Sequence, residues 1–175
     1  MQFLFELDDQ KEWLLPYHMF TLKFSDEPES SISKELNRFV HNGLLAHVAE
    51  GLYANIHAHC LPGHDQALIQ FAKKVRFCDQ MYYTGPMRAN ELGLTTQMPN
   101  GITFITDGRS YTYQNVLGIV EFVHQKIPDI RKIRGVVWNE DRGIYEATEK
   151  RVREDARHHR SYFLLDLMEE MNEER

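Results

Sequence analysis

Cysteine is scarce: Cys60 and Cys78 are the only two in 175 residues, and they are not spaced as C-x-x-C. A chain of this length buries roughly 70% of its unfolded surface, so it needs neither a disulfide framework nor a structural metal to hold a core. Reduced thiols in a cytoplasmic protein are therefore the expectation. Long apolar runs are also missing. The best candidates, around Trp13 to Phe20 and Tyr162 to Met168, fall short of the roughly 20 residues that cross a bilayer. The opening residues have no basic stretch and soon meet Asp8 and Asp9, so no secretory leader is expected. Catalytic signatures are absent too: there is no G-x-S-x-G elbow, no Walker loop, no G-x-G-x-x-G and no H-E-x-x-H.

What is present is an ordinary globular composition, 42% hydrophobic and 26% charged, with a formal net charge of −6. Cations concentrate in residues 126–160, where ten Lys and Arg face seven Asp and Glu. Arg131, Lys132, Arg134, Arg151 and Arg153 make this the place to look for an anion- or nucleic-acid-binding surface. The interleaved acids and the lack of a nucleic-acid motif favour instead a mixed, solvated face.

Along the chain, residues 2–7 and 17–24 are rich in strand formers around Pro16 and predict an opening antiparallel pair. Ile32, Leu36, Phe39 and Val40 recur at helical spacing, with His41-Asn42-Gly43 as a stop. Leu44, Val48, Leu52 and Ile56 are spaced by four and predict a second amphipathic helix reaching Ala58. A third helix is expected through Ala67, Phe71, Val75 and Cys78, followed by a loop-like stretch, with at most one short helical turn, between Thr84-Gly85-Pro86 and Pro99-Asn100-Gly101. Two β-rich runs meet at Asp107-Gly108 and predict a hairpin over residues 102–113, the competing reading being a βαβ unit. A helix over 115–126, a hairpin joining 133–138 to 143–148 and a closing helix over about 149–173 complete the chain. The expected fold is a single α+β domain spanning 1–175, a mainly antiparallel sheet built from hairpins and covered by amphipathic helices.

Nine histidines are the compositional oddity. His57, His59, Cys60 and His64 fall within eight residues, and imidazole and thiolate are good ligands for a divalent metal such as zinc. On the predicted helix over 44–58, His47, Glu50, Tyr53 and His57 share the polar face, where Glu50 and His47 could form an acid/base pair. The plain alternative is a solvated helix face carrying incidental histidines. The closing helix is basic in its first half and acidic at its end, the reverse of what its dipole favours, while Phe163, Leu164, Leu167, Met168 and Met171 form an apolar seam. That combination suits docking on a protein partner or a second copy.

The function expected from these features is a soluble binding, regulatory or assembly protein. A small metal-dependent hydrolase built on residues 47–64 is the second reading, and a nucleic-acid-binding module using 126–160 the third.

Overall fold

A computed structural model describes residues 12–59, 61–96 and 98–158. Its described residues form an α+β fold, with five helices and nine strands in two mostly antiparallel sheets. By contacts the chain divides into two compact units, Met1–Ala67 and Leu68–Arg175. No helix among the described residues is long and apolar enough to cross a membrane.

The first unit contains β1 (Leu14–Pro16), α1 (Tyr17–Lys23), α2 (Glu29–His41), β2 (Ala46–Ala49) and β3 (Leu52–Ala54). The strands form one antiparallel sheet in the order β1-β3-β2, with Leu14 opposite Ala54 and His47 opposite Tyr53. Leu15, Phe20, Ile32, Leu36, Phe39 and Leu45 make an entirely apolar core. Two expectations are corrected here. Residues 17–23 form a helix rather than a strand: Pro16, extended at φ −66° and ψ 144°, ends β1 and leads straight into α1. Tyr17, Phe20 and Phe24, all packed in the core, stand at i, i+3 and i+7, a helical spacing that the short apolar run shared with strand alternation. Residues 44–58 form a hairpin rather than a helix. Positions four apart are also two strand periods apart, so Ala46 and Val48 face inward on β2 as Leu52 and Ala54 do on β3. The deciding residue is Gly51, whose φ of +65° makes the tight turn after Glu50.

Within the second unit, one six-stranded sheet has the order β6-β7-β5-β4-β9-β8. Its strands are β4 (Met81–Thr84), β5 (Gly101–Thr106), β6 (Tyr111–Asn115), β7 (Gly118–His124), β8 (Val136–Asn139) and β9 (Ile144–Ala147). Helices α3 (His64–Val75), α4 (Gly85–Glu91) and α5 (Glu149–His158) accompany them, the boundary between units falling within α3. The β8–β9 hairpin and α3 are where the sequence places them. The hairpin expected across Asp107-Gly108 is not formed. All six residues of β5 are buried, and the strand pairs with β4 antiparallel and β7 parallel, while β6 pairs with β7. A fully buried strand belongs at the centre of a sheet. Asp107 is occupied otherwise, accepting from the Gln80 backbone N–H at 2.8 Å and from its side-chain amide at 3.3 Å. Gly108 serves close approach, since a Cβ there would lie 2.0 Å from Asp79 Oδ2. The helix expected over 115–126 is β7, which alternates Val120 and Phe122 into the core. The stretch expected as a loop after Thr84 opens with α4, which Pro86 helps to start.

Candidate nucleic-acid interface

In the first unit, strand, helix, turn, helix and hairpin follow one another, and the second helix presents a sharply divided surface. Ile32, Leu36 and Phe39 are 3% exposed or less and bind α2 to the core. At about 100° per residue, the opposite stripe carries Ser30, Lys34, Asn37 and His41, flanked by Ser31 and Arg38, all exposed. No acid lies on that stripe. Glu29 sits in the first turn, where a carboxylate suits the helix dipole, and Glu35 lies on the flank in an ion pair with Arg38. The Arg38 guanidinium also rests 5.9 Å from the Phe39 ring centre while its side chain stays 61% exposed.

Several contacts hold this helix in place. Tyr17 Oη and Ser33 Oγ are 3.0 Å apart, tying α1 to α2. Phe20 meets Tyr53 edge to face at 6.0 Å, tying α1 to the hairpin. Burial, followed by the neighbouring Tyr17, raises the Tyr53 pKa, so it remains a neutral phenol. The helix ends at Gly43 (φ +70°), whose N–H reaches the Val40 carbonyl at 3.1 Å while Leu44 N–H returns to the Phe39 carbonyl at 2.9 Å. His57 Nε2–H then donates to the Gly43 carbonyl at 2.8 Å, fastening the helix end to the segment after β3.

The other residues singled out in the sequence are dispersed or already engaged. With residues 46–54 in a hairpin, the helical face aligning His47, Glu50, Tyr53 and His57 does not exist. His47 packs on Tyr53 with ring centres 5.2 Å apart, and Glu50 is exposed at the hairpin tip. His57 is held at both ends, its backbone N–H donating to Asn55 Oδ1 at 3.1 Å. His59 is exposed, His64 lies 3.3 Å from the Asp65 carboxylate, and Cys60 lies outside the described residues. Among the described residues, no group of three or more His, Cys, Asp or Glu is arranged to hold a metal ion. Phe163, Leu164, Leu167, Met168 and Met171 lie outside the described residues as well.

The basic stretch of the second unit is largely spoken for. Arg131 and Lys132 both pair with Asp129, at 3.0 and 3.7 Å. The Arg131 hydrogen bond holds the Asp129 carboxyl below its usual pKa. Arg153 pairs with Glu149 at 3.1 Å, and Arg134 is exposed. Arg151 turns inward, donating to Tyr82 Oη from Nη2 at 2.7 Å and pairing with Asp155 at 2.9 Å. Asp155, 1% exposed, also accepts from the Tyr82 hydroxyl and from Thr84 Oγ1, each at 3.0 Å. Burial raises the pKa of both Tyr82 and Asp155, against the pull of Arg151. A second network joins Glu146 to Arg88 at 3.1 Å and to Arg142 at 3.3 Å, with Glu91 accepting from both arginines.

Sequence reading locates the apolar stripe of α2 but passes over the residues opposite it. Lys34, Asn37, Arg38 and His41 become legible as a surface once the following segment is known to be a hairpin rather than another helix. No family model, no curated protein and no solved structure matches the chain.

Proposed function

We propose that the first unit binds double-stranded DNA, with α2 lying in the major groove and the β2–β3 hairpin against the neighbouring backbone. The succession of a seven-residue α1, a five-residue connection and α2 follows the element order of a helix-turn-helix, whose second helix reads base edges while its first crosses the backbone. Fold alone does not establish function. The observation that carries the reading is the outward stripe of α2, where Ser30, Lys34, Asn37 and His41 are exposed and no acid intervenes, with Arg38 on its flank paired to Glu35. Arg and Lys match the acceptors of guanine, Asn matches the acceptor and donor of adenine, and Ser suits phosphate. On this reading DNA contact belongs to the first unit rather than to residues 126–160, in keeping with a binding or regulatory role.

The charge of the unit shapes the expected behaviour. Among its described residues, Lys23, Lys34 and Arg38 stand against Glu12, Asp26, Glu27, Glu29, Glu35, Glu50 and Asp65. Non-specific attraction to phosphate is therefore weak, and affinity depends on direct contacts from α2. Selection of duplexes from a randomised pool, followed by fluorescence anisotropy at low and physiological salt, tests this. The expected outcome is enrichment of a short sequence motif, with binding by a Lys34→Ala/Asn37→Ala/Arg38→Ala variant reduced at least about tenfold at an unchanged circular dichroism spectrum. Failure to enrich any sequence, or equal binding by the folded variant, would exclude α2 as the reading element.

A further inference from the structure

The second unit contains an open cleft of about 450 Å³ between the end of α3 and the β8–β9 hairpin. This volume falls in the range of small-ligand sites. We propose that it binds a small ligand combining a planar aromatic body with an anionic group. The site stands independently of the DNA reading, since every lining residue belongs to the second unit.

Its α3 side is cationic. Lys73 and Arg76 stand one turn apart and both line the cleft. Lys73 Nζ is held over the hairpin turn by a 3.3 Å bond to the Arg142 carbonyl, and Gly143 (φ +61°) leaves room for it, because a Cβ there would sit 3.0 Å from that nitrogen. The Arg76 head is fixed by Asp79 at 3.2 Å, by the Arg109 carbonyl at 2.8 Å and by the Phe122 ring at 4.9 Å. Its Nε nonetheless has no hydrogen-bond partner, and it is the one buried side-chain polar atom in that condition among the described residues. A buried donor without an acceptor is costly, which leaves the Arg76 head an incompletely satisfied cation beside the cleft. The acid of the cleft, Asp79, is already committed to Arg76, which leaves the local balance positive.

The remaining walls are apolar and aromatic. Trp138, braced edge to face against Tyr145 with ring centres 4.9 Å apart, remains 52% exposed on the hairpin side. Phe77, 84% exposed, lines the cleft from the α3 side, and Met81, Ile130 and Ile144 line it further. Exposed aromatic rings on both sides, beside fixed cations, match a flat ring bearing a phosphate or carboxylate.

Phenyl phosphate is the probe, titrated into the full chain carrying Trp13→Phe, so that Trp138 is the remaining tryptophan. The expected result is a saturable change in Trp138 fluorescence, with inorganic phosphate and benzyl alcohol each at least about tenfold weaker. Arg76→Gln and Trp138→Ala, the latter read by isothermal titration calorimetry because it removes the fluorophore, should each weaken binding at least about tenfold, the loss expected for a charge-assisted bond or a stacked ring. If Arg76→Gln alters the circular dichroism spectrum, Lys73→Gln, at an exposed position, takes its place. Absence of saturation with phenyl phosphate, or equal binding by folded variants at Lys73 and Trp138, would overturn the site.

Discussion

The two units treat polar side chains in opposite ways. In the first, Asn55 is the one buried polar residue among those described, and Ser30, Lys34, Asn37 and His41 of α2 are exposed. In the second, Thr84, Thr103, Thr106, Glu121, Glu146 and Asp155 are all buried, several of them in ion-pair networks. Polar groups turned inward fix an architecture, because each must find its partners inside. Polar groups left on a helix face contribute little to folding and remain available to a ligand. Polar side chains thus mark structure in the second unit and, on the proposed reading, recognition in the first.

Breaking the buried network should have the largest effect. Asp155→Ala leaves the Tyr82 and Thr84 hydroxyls without their acceptor and Arg151 with only the more distant Glu154, at 3.8 Å. We expect a loss of about 3 kcal/mol or more in denaturant unfolding. That corresponds to a melting point lower by about 6–12 °C, at about 2–4 °C per kcal/mol for a chain of this size. Tyr82→Phe removes one donor and should cost about 1–3 kcal/mol by the same measurement. If both changes are near neutral, the inward polar groups of the second unit are not its framework.

The pH dependence sharpens the point. Because burial raises the folded-state pKa of Asp155 above its unfolded value, the folded state holds that proton more tightly. The associated stability is fully present below the unfolded carboxyl pKa and is lost as pH rises through the folded one. Relative to Asp155→Asn, the wild type should gain stability as pH falls across that window and run parallel to it on either side. Melting curves of the pair across the acid range check this, and a relative loss on acidification would reverse the assignment.

Substitutions on the outward face of the first unit should barely register in stability. Lys34→Ala and Asn37→Ala are expected within about 0.5 kcal/mol of wild type in the same unfolding assay, while weakening duplex binding. A stability loss comparable to that of Asp155→Ala would dissolve the contrast between the units. Smallest of all is Glu50→Lys at the hairpin tip. Replacing an exposed acid with a cation should leave unfolding unchanged and strengthen DNA binding a few-fold at low salt, an advantage that fades as salt is raised.

Much of this organisation is legible in the sequence, and each failure has its own physical cause. The fold class, α2, α3 and the β8–β9 hairpin follow from apolar spacing long enough to be unambiguous. The segment 44–54 fails because a spacing of four satisfies both helix and strand, and the single glycine at 51 carries the decision. Residues 102–113 fail because Asp-Gly is a strong local hairpin signal overridden by long-range pairing: Gln80 captures Asp107, and β7 takes the place beside β5 that β6 would occupy. For the candidate interface, sequence locates α2 but not the hairpin beside it. The cleft is less visible still, since Lys73, Arg76 and Trp138 are brought together only by tertiary structure.

The parallel pairing of β4 with β9 sets an order of events during synthesis. Tyr82 lies opposite Tyr145, so the central sheet cannot be completed until nearly the whole described chain has left the ribosome. The first unit's sheet closes earlier, when Leu14 meets Ala54, 40 residues on rather than the 63 that separate Tyr82 from Tyr145. Distant partners make for slow folding and prolonged exposure of unpaired strands. Between those two moments β4 and β5, already paired antiparallel, wait with β4's other edge open, and a nascent chain at that stage is where chaperone dependence and premature aggregation should concentrate.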